Sequence, residues 1–434
     1  MKKKNNFFLK CIIVGILTGF VVIIYRLSLG RINKFRRVFF ENLKINFTIV
    51  DGLIIFLFLL ISSLLIGYII TKHPLSRGGG VAFVKGDVEN NIDFSSSNKI
   101  IIKEIVFKLV GAILGISSGL SFGIEGPSIE LGGEVGQGVG NYSKSEEKEK
   151  KFLITAGAAA GLAAAFNAPL SGIVFAFEQI IKSVSHKYLV AILISCSIVG
   201  WLTNLVFGVN PFFYIDIVSP LKSMDYWLII VFGLLVAMIG KIFFLTSAVL
   251  RKMNSLIKIP IYFKLFIPLS IGIVVSTFFF DFTGEGYFIT DKILQFEYSL
   301  FSLVCIFIFK SLYFLYSTST DIPGGTFVPL ISIGAIVGKI YGFLIVTYLN
   351  FPQDYTIFFI ILGMSLLLTS IVRAPITGII LIIEITGANA LFYQLALATI
   401  SVSFFSVLFN MSPIYDSALK QYLSSIGYGK SKEN

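Results

Sequence analysis

The chain has 434 residues, of which 56% are hydrophobic and only 14% charged, with a mean hydropathy of +0.88. Such values lie far outside the range of a water-soluble domain and define a polytopic membrane protein. The formal net charge of +11 is dispersed among apolar segments, which argues against nucleic acid as a partner and for lipid headgroups and attraction of anions.

From the N-terminus, Lys2-Lys3-Lys4 precedes an apolar run with no small-residue cleavage site, so 8–28 reads as a retained helix and not a signal peptide. That run and 51–70 can each cross a hydrocarbon core, which needs about 20 residues. Farther on, 188–207, 226–248, 262–280, 296–316 and 391–409 read the same way. Between them lie shorter apolar runs broken by glycine and proline: 109–121, 126–140, 153–165, 168–182, 328–348 and 374–386. Such runs predict half-spanning or tilted helices whose ends line a polar cavity. The charged insert Lys144 to Lys151 reads as a solvated turn.

Positive residues at Lys2 to Lys4, Lys72, Arg77, Lys420, Lys430 and Lys432 place both termini and the loop near residue 75 on the cytoplasmic side of the cell membrane. Arg31, Lys34, Arg36, Arg37 and Lys44 oppose that topology unless the first two helices run well past the bilayer. Cys11, Cys196 and Cys305 sit singly in apolar runs and read as packing residues, with no metal spacing around them. His73 and His186 read as isolated loop-edge residues.

Two stretches repeat each other. Ala168-Pro169-Leu170-Ser171-Gly172-Ile173, followed by Glu178, recurs as Ala374-Pro375-Ile376-Thr377-Gly378-Ile379, followed by Glu384. Upstream, Glu125-Gly126-Pro127-Ser128-Ile129 with Gly132 and Gly136 matches Phe327-Val328-Pro329-Leu330-Ile331 with Gly334 and Gly338. The order is the same in both halves, as in transporters built by duplication. One transmembrane domain over 1–434 is expected, with an N-terminal helix and basic segment over 1–49 and repeats over about 50–210 and about 225–425.

The polar chemistry lies in Arg77-Gly78-Gly79-Gly80-Val81, Gly123-Ile124-Glu125-Gly126-Pro127, Gly324-Gly325-Thr326-Phe327-Val328-Pro329 and Ser412-Pro413-Ile414-Tyr415. In the middle two, glycine and a proline just inside a helix mark helix starts. First-turn amides lack intrahelical partners and carry roughly half a positive charge, so converging starts replace an anion's hydration without a full cation. Close helix packing is the competing reading for any one of these glycines. Glu125 tips the balance, because a carboxylate at the centre of a bundle costs about 2.5–3.5 kcal/mol and is functional by default. At a helix start it can occupy the anion site, and once protonated it can leave.

At these residues the chain resembles the CLC family of chloride channels and chloride/proton antiporters. The gating motif Gly-Arg-Glu-Gly-Pro corresponds to Gly123 to Pro127, Gly-x-Phe-x-Pro to Gly325 to Pro329, and the anion-coordinating tyrosine to Tyr415. Gly157 to Pro169 and Arg373-Ala374-Pro375 are also family-like. The resemblance implies an all-α homodimer with a pore in each subunit and two halves of inverted topology. It implies chloride and other monovalent anions held by Gly79, Gly80, Ile124, Gly126, Thr326, Phe327 and Tyr415, with Glu125 as gate and proton acceptor. No cofactor beyond the transported ion and no catalytic residue is expected.

Departures bear on mechanism. Gly79 stands where the family's serine ligand is found, and Ala82 where its proline is, which relaxes the expected selectivity. Ile124 replaces the motif's arginine. Glu178-Gln179 replaces the antiporters' paired glutamates, and a glutamine exchanges no proton near neutral pH. Glu178 and Gln179 are nonetheless carried as the inner proton route. Lys108 keeps the family lysine while Lys85 stands where its acid is found, so Glu104 or Glu130 is expected to compensate. The short stretch after Tyr415 leaves no room for paired cytoplasmic regulatory domains. Chloride/proton exchange is the expected function and a passive chloride channel the alternative. A fluoride exporter fits less well because the Gly-x-Phe-x-Pro pattern is kept. An intramembrane enzyme lacks a catalytic constellation.

Overall fold

The structure, a computed structural model, describes residues 2–89, 97–181, 185–213, 215 and 221–425. Lys430 and Lys432 lie outside the described residues. The first half holds α1 (Lys2–Ile45), α2 (Ile49–Lys72), α3 (Val81–Val88), α4 (Asn98–Ser117), α5 (Glu125–Tyr142), α6 (Glu147–Phe166), α7 (Pro169–Phe175, continued by a wide π turn over Ala176–Ile180) and α8 (His186–Phe207). The second holds α9 (Trp227–Leu256), α10 (Ile261–Phe278), α11 (Tyr287–Gln295), α12 (Leu300–Thr318), α13 (Phe327–Leu349), α14 (Tyr355–Val372), α15 (Pro375–Thr386), α16 (Phe392–Leu408) and α17 (Ile414–Ser425). The fold is all-α with inverted halves, and 9 helices among the described residues are long and apolar enough to cross a membrane.

The core of each half is a helix pair packed backbone to backbone: α5 on α6 and α13 on α14. Glycine makes this approach possible. A Cβ added to Gly157 would lie 2.0 Å from the Gly132 carbonyl oxygen, and one added to Gly363 would lie 2.2 Å from that of Gly334. Between the halves, α7 and α15 exchange caps. Glu178, at the far end of α7, accepts the Ile376 and Thr377 N–H groups at 2.8 and 2.7 Å, while Glu384, at the far end of α15, accepts those of Leu170 and Ser171 at 3.0 and 2.7 Å. Each helix start meets the other's finish, so α7 and α15 are antiparallel, as inverted repeats require.

Several sequence expectations are corrected. Helix α14, unassigned in the sequence, is the most enclosed span, with 89% of its apolar window buried. Buried on every side, it has no polar stripe to mark it. Helix α4 begins well before 109 because Glu104 and Lys108, which interrupt its hydropathy, are satisfied inside the protein. The insert at 144–151 is not wholly a turn: α6 starts at Glu147, and Lys10 reaches Glu149 at 2.6 Å. Helix α1 runs unbroken for 44 residues, about 66 Å at 1.5 Å per residue, so it carries Arg31 to Lys44 far past a single crossing. Cys11 and Cys196 are buried, but Cys305 is exposed on the apolar exterior and packs no core. His73 is not isolated, since its Nδ1 lies 2.7 Å from Glu104 Oε1 and its ring packs at a tilt against Phe107, 4.2 Å between centroids.

Candidate functional site

Four helices, α3, α5, α13 and α17, begin at the four polar segments singled out in the sequence. The loops before three of them are zipped together. Gly123 and Gly325 exchange N–H···O bonds of 2.9 and 2.7 Å, Gly78 N–H donates to the Asp321 carbonyl at 3.0 Å, and Gly324 N–H donates to the Gly78 carbonyl at 3.2 Å. A Cβ on Gly126 would lie 2.4 Å from the Gly79 carbonyl oxygen and 3.0 Å from Gly325 Cα, so all three loops meet at that glycine.

Helix α12, whose part was not read from the sequence, holds the loop before α5. Tyr313 donates its hydroxyl to the Gly119 carbonyl at 2.7 Å, Ser317 Oγ accepts the Ser121 N–H at 3.1 Å, and the fully buried Lys310 donates to Ser121 Oγ at 3.0 Å. The signal was a lone lysine in an apolar run.

Glu125 is fully buried, and its Oε1 accepts the Phe327 N–H. The amides of Val328 and of Glu125 itself also face the carboxylate, while Oε2 has no hydrogen-bond partner among the described residues. The carboxylate therefore sits in the amide nest at the start of α13, where an anion would bind. The space is left by glycine: a Cβ on Gly123 or Gly325 would lie 2.0 or 2.4 Å from its oxygens.

Beside it lies a cavity of about 260 Å3 whose lining includes Gly79, Gly80, Thr326 and Tyr415, together with Arg77, Arg251 and Asp321. Tyr415 lies beside the Thr326 side chain and its ring lies 6.3 Å from that of Phe327. Ile124 and Gly126 flank Glu125 in the loop junction without lining this cavity, and Phe327 contributes its amide.

The two inner residues part company. Glu178 caps the start of α15, accepting also from Thr377 Oγ1 at 2.6 Å. Gln179 is buried and donates to the Arg373 carbonyl at 3.1 Å. The two lysines are paired as well. Lys108 meets Glu130, as one expectation held, but the partner of Lys85 is Asp416 on α17 and neither Glu104 nor Glu130.

Residues 59–407 match the family described as voltage gated chloride channel, and the chain belongs to that family. It is 27% identical over 429 residues, 95% of this chain and 89% of the relative, to an H(+)/Cl(-) exchange transporter ClcA of Vibrio parahaemolyticus serotype O3:K6. It is 27% identical over 376 residues, 83% and 77% of the two chains, to the protein of the same name from Citrobacter koseri. Among solved structures, a slow cyanobacterial Cl-/H+ antiporter superposes with a TM-score of 0.89 at 24% identity, covering 96% of this chain and 98% of its own. A CLC-type fluoride/proton antiporter superposes with a TM-score of 0.77 at 20% identity, covering 96% and 98%. These structural likenesses establish the fold.

Proposed function

We propose that this protein carries chloride across the cell membrane in exchange for protons, as a homodimer with both termini cytoplasmic and a pathway in each subunit. The observation that carries the reading is the Glu125 carboxylate seated on the Phe327 amide, in an N-terminal nest that suits a bare anion. Carboxylate and chloride compete for that nest. Protonation removes the negative charge that holds Glu125 there, so one proton binds as one anion site opens, which couples the two fluxes. Chloride within the cavity is held by the Thr326 and Phe327 amides and the Tyr415 hydroxyl. None of these three ligands carries a full charge, so release stays fast. The chemistry is transport rather than a reaction on a substrate. The likeness to relatives named as H(+)/Cl(-) exchange transporters supports the same reading.

The test is purified protein in liposomes with chloride efflux and proton uptake recorded together. An outward chloride gradient is expected to drive protons inward against their own gradient. Robust chloride flux with no proton movement, and a reversal potential at the chloride equilibrium value, would replace the exchanger with a passive channel.

A further inference from the structure

An exchanger needs a proton path to Glu125 from the cytoplasmic side, and neither residue beside the π turn of α7 offers one. Gln179 exchanges no proton near neutral pH, and Glu178 is committed to capping α15. Two other carboxylates lie on α5, the helix that Glu125 begins. Glu130 and Glu134 are one turn apart, hence neighbours on one helix face, and are 0% and 3% exposed. Both Glu134 oxygens are buried without a hydrogen-bond partner among the described residues.

The structure assigns Glu134 and Glu130 to a proton path that runs from a cavity between α1, α4 and α5 to the wall of the anion cavity. This assignment rests on the exchange reading above. At its outer end, Glu134 borders a mostly apolar cavity of about 590 Å3, walled by Ile13, Ile101, Gly138 and Val139 with Lys10 and Asn98 at its polar margin, beside the N-terminal half of α1. With the N-terminus cytoplasmic, that cavity lies on the cytoplasmic side. At its inner end, Glu130 Oε2 packs so closely on Gly80 that a Cβ there would lie 1.9 Å away, and Gly80 lines the anion cavity. The acid-bearing face of α5 thus joins the two cavities.

The surrounding charges suit the task. Glu104 and Lys108 of α4 face the pair, Glu104 being engaged by His73 and Ser76. Lys10 of α1 is held by Glu149 and Ser145. Lys108 pairs with Glu130 and also donates to the Ser76 and Gly78 carbonyls at 3.1 and 3.0 Å, so it stays anchored when Glu130 takes a proton. Glu104, Glu130 and Glu134 set three carboxylates against the Lys108 ammonium, and a proton shared between Glu130 and Glu134 removes one of the two surplus negative charges. A proton that reaches Glu134 from the cytoplasmic side passes to Glu130, crosses at Gly80 to the anion cavity, and ends on Glu125. Each donor returns to its ionised form, and the proton is the only particle transferred.

The test uses the full chain in liposomes under a chloride gradient. Glu134→Gln is expected to lower proton uptake per chloride by about tenfold or more while chloride efflux persists, and Glu134→Asp to restore much of it. Gly138→Val fills the outer cavity without touching the carboxylate, because a Cβ there meets only Ile101 Cγ2 at 3.8 Å. It is expected to slow proton uptake likewise, and it decides the matter if Glu134→Gln does not fold. Wild-type protein that couples protons, with an unchanged proton-to-chloride ratio in the folded variants, overturns the path alone. Wild-type protein that moves no protons overturns the exchange reading and this path with it.

Discussion

Glu125 takes an amide that would suit an anion, and Gly123 and Gly325 leave the room for its carboxylate. Glu125→Gln keeps the volume but removes both the charge that competes with chloride and the proton that relieves the competition. Anion flux is therefore expected to persist while its pH response and any proton movement disappear, measured as efflux at several external pH values. A wild-type pH response in this variant would move the gate elsewhere. Neighbouring glycines are not equivalent. A Cβ on Gly79 meets only the Gly324 carbonyl oxygen at 3.5 Å, whereas Gly80 has φ +78° and faces Glu130. Gly79→Ser is thus expected to fold and to add a hydroxyl to the cavity worth about 0.5–1.5 kcal/mol, raising chloride preference over weakly hydrated anions severalfold in competition assays. Gly80→Ser is expected not to fold, read as loss of a monodisperse peak on purification. Glu125 stood out in the sequence because a lone carboxylate between glycines is a local signal, whereas Gly79 and Tyr415 were placed by the family resemblance. The difference between Gly79 and Gly80 was not legible, because it depends on Glu130 across the loop.

Helix ends decide the next level. The exchanged caps of α7 and α15 use Glu178 and Glu384 at matching repeat positions, and Ser171 Oγ and Thr377 Oγ1 add matching donors at 2.5 and 2.6 Å. Glu384→Ala leaves first-turn donors of α7 without partners, a loss of about 1–3 kcal/mol, expected as a lower thermal midpoint in detergent. Glu178→Gln keeps an acceptor but loses the charge beside the α15 start, about 0.3–1 kcal/mol, and is expected to leave the proton-to-chloride ratio unchanged. A lowered ratio with normal thermal stability would return Glu178 to the proton route. The repeat made Glu178 and Glu384 visible as a matched pair in the sequence, yet their bonding could not be read there, because each cap crosses to the other half. Helix starts at Glu125 and Phe327 were legible from Gly and Pro. The early start of α4 was not, since Glu104 and Lys108 look like a break until their partners are placed.

Across the whole molecule, the inverted halves meet at one cavity, and the last helix closes part of its wall. Helix α17 packs on α3, and Asp416, in the turn that carries Tyr415, pairs with Lys85 near the end of α3. Both helices begin at cavity residues, so this tie is expected to bear on how closely Tyr415 approaches Gly79 and Gly80. The partners lie 331 residues apart, which is why the sequence offered only the nearer Glu104 and Glu130. With side chains 12% and 38% exposed, the pair is worth about 1 kcal/mol at most. Asp416→Lys sets two ammonium groups against each other and puts a positive charge at the α17 start, where the helix dipole already disfavours it. Chloride competition is expected to weaken severalfold. Combining it with Lys85→Asp restores the attraction but not the dipole, so partial recovery is expected. Equal loss in the single and double variants would show that the tie does not position Tyr415, and that α17 is held by its apolar contacts alone.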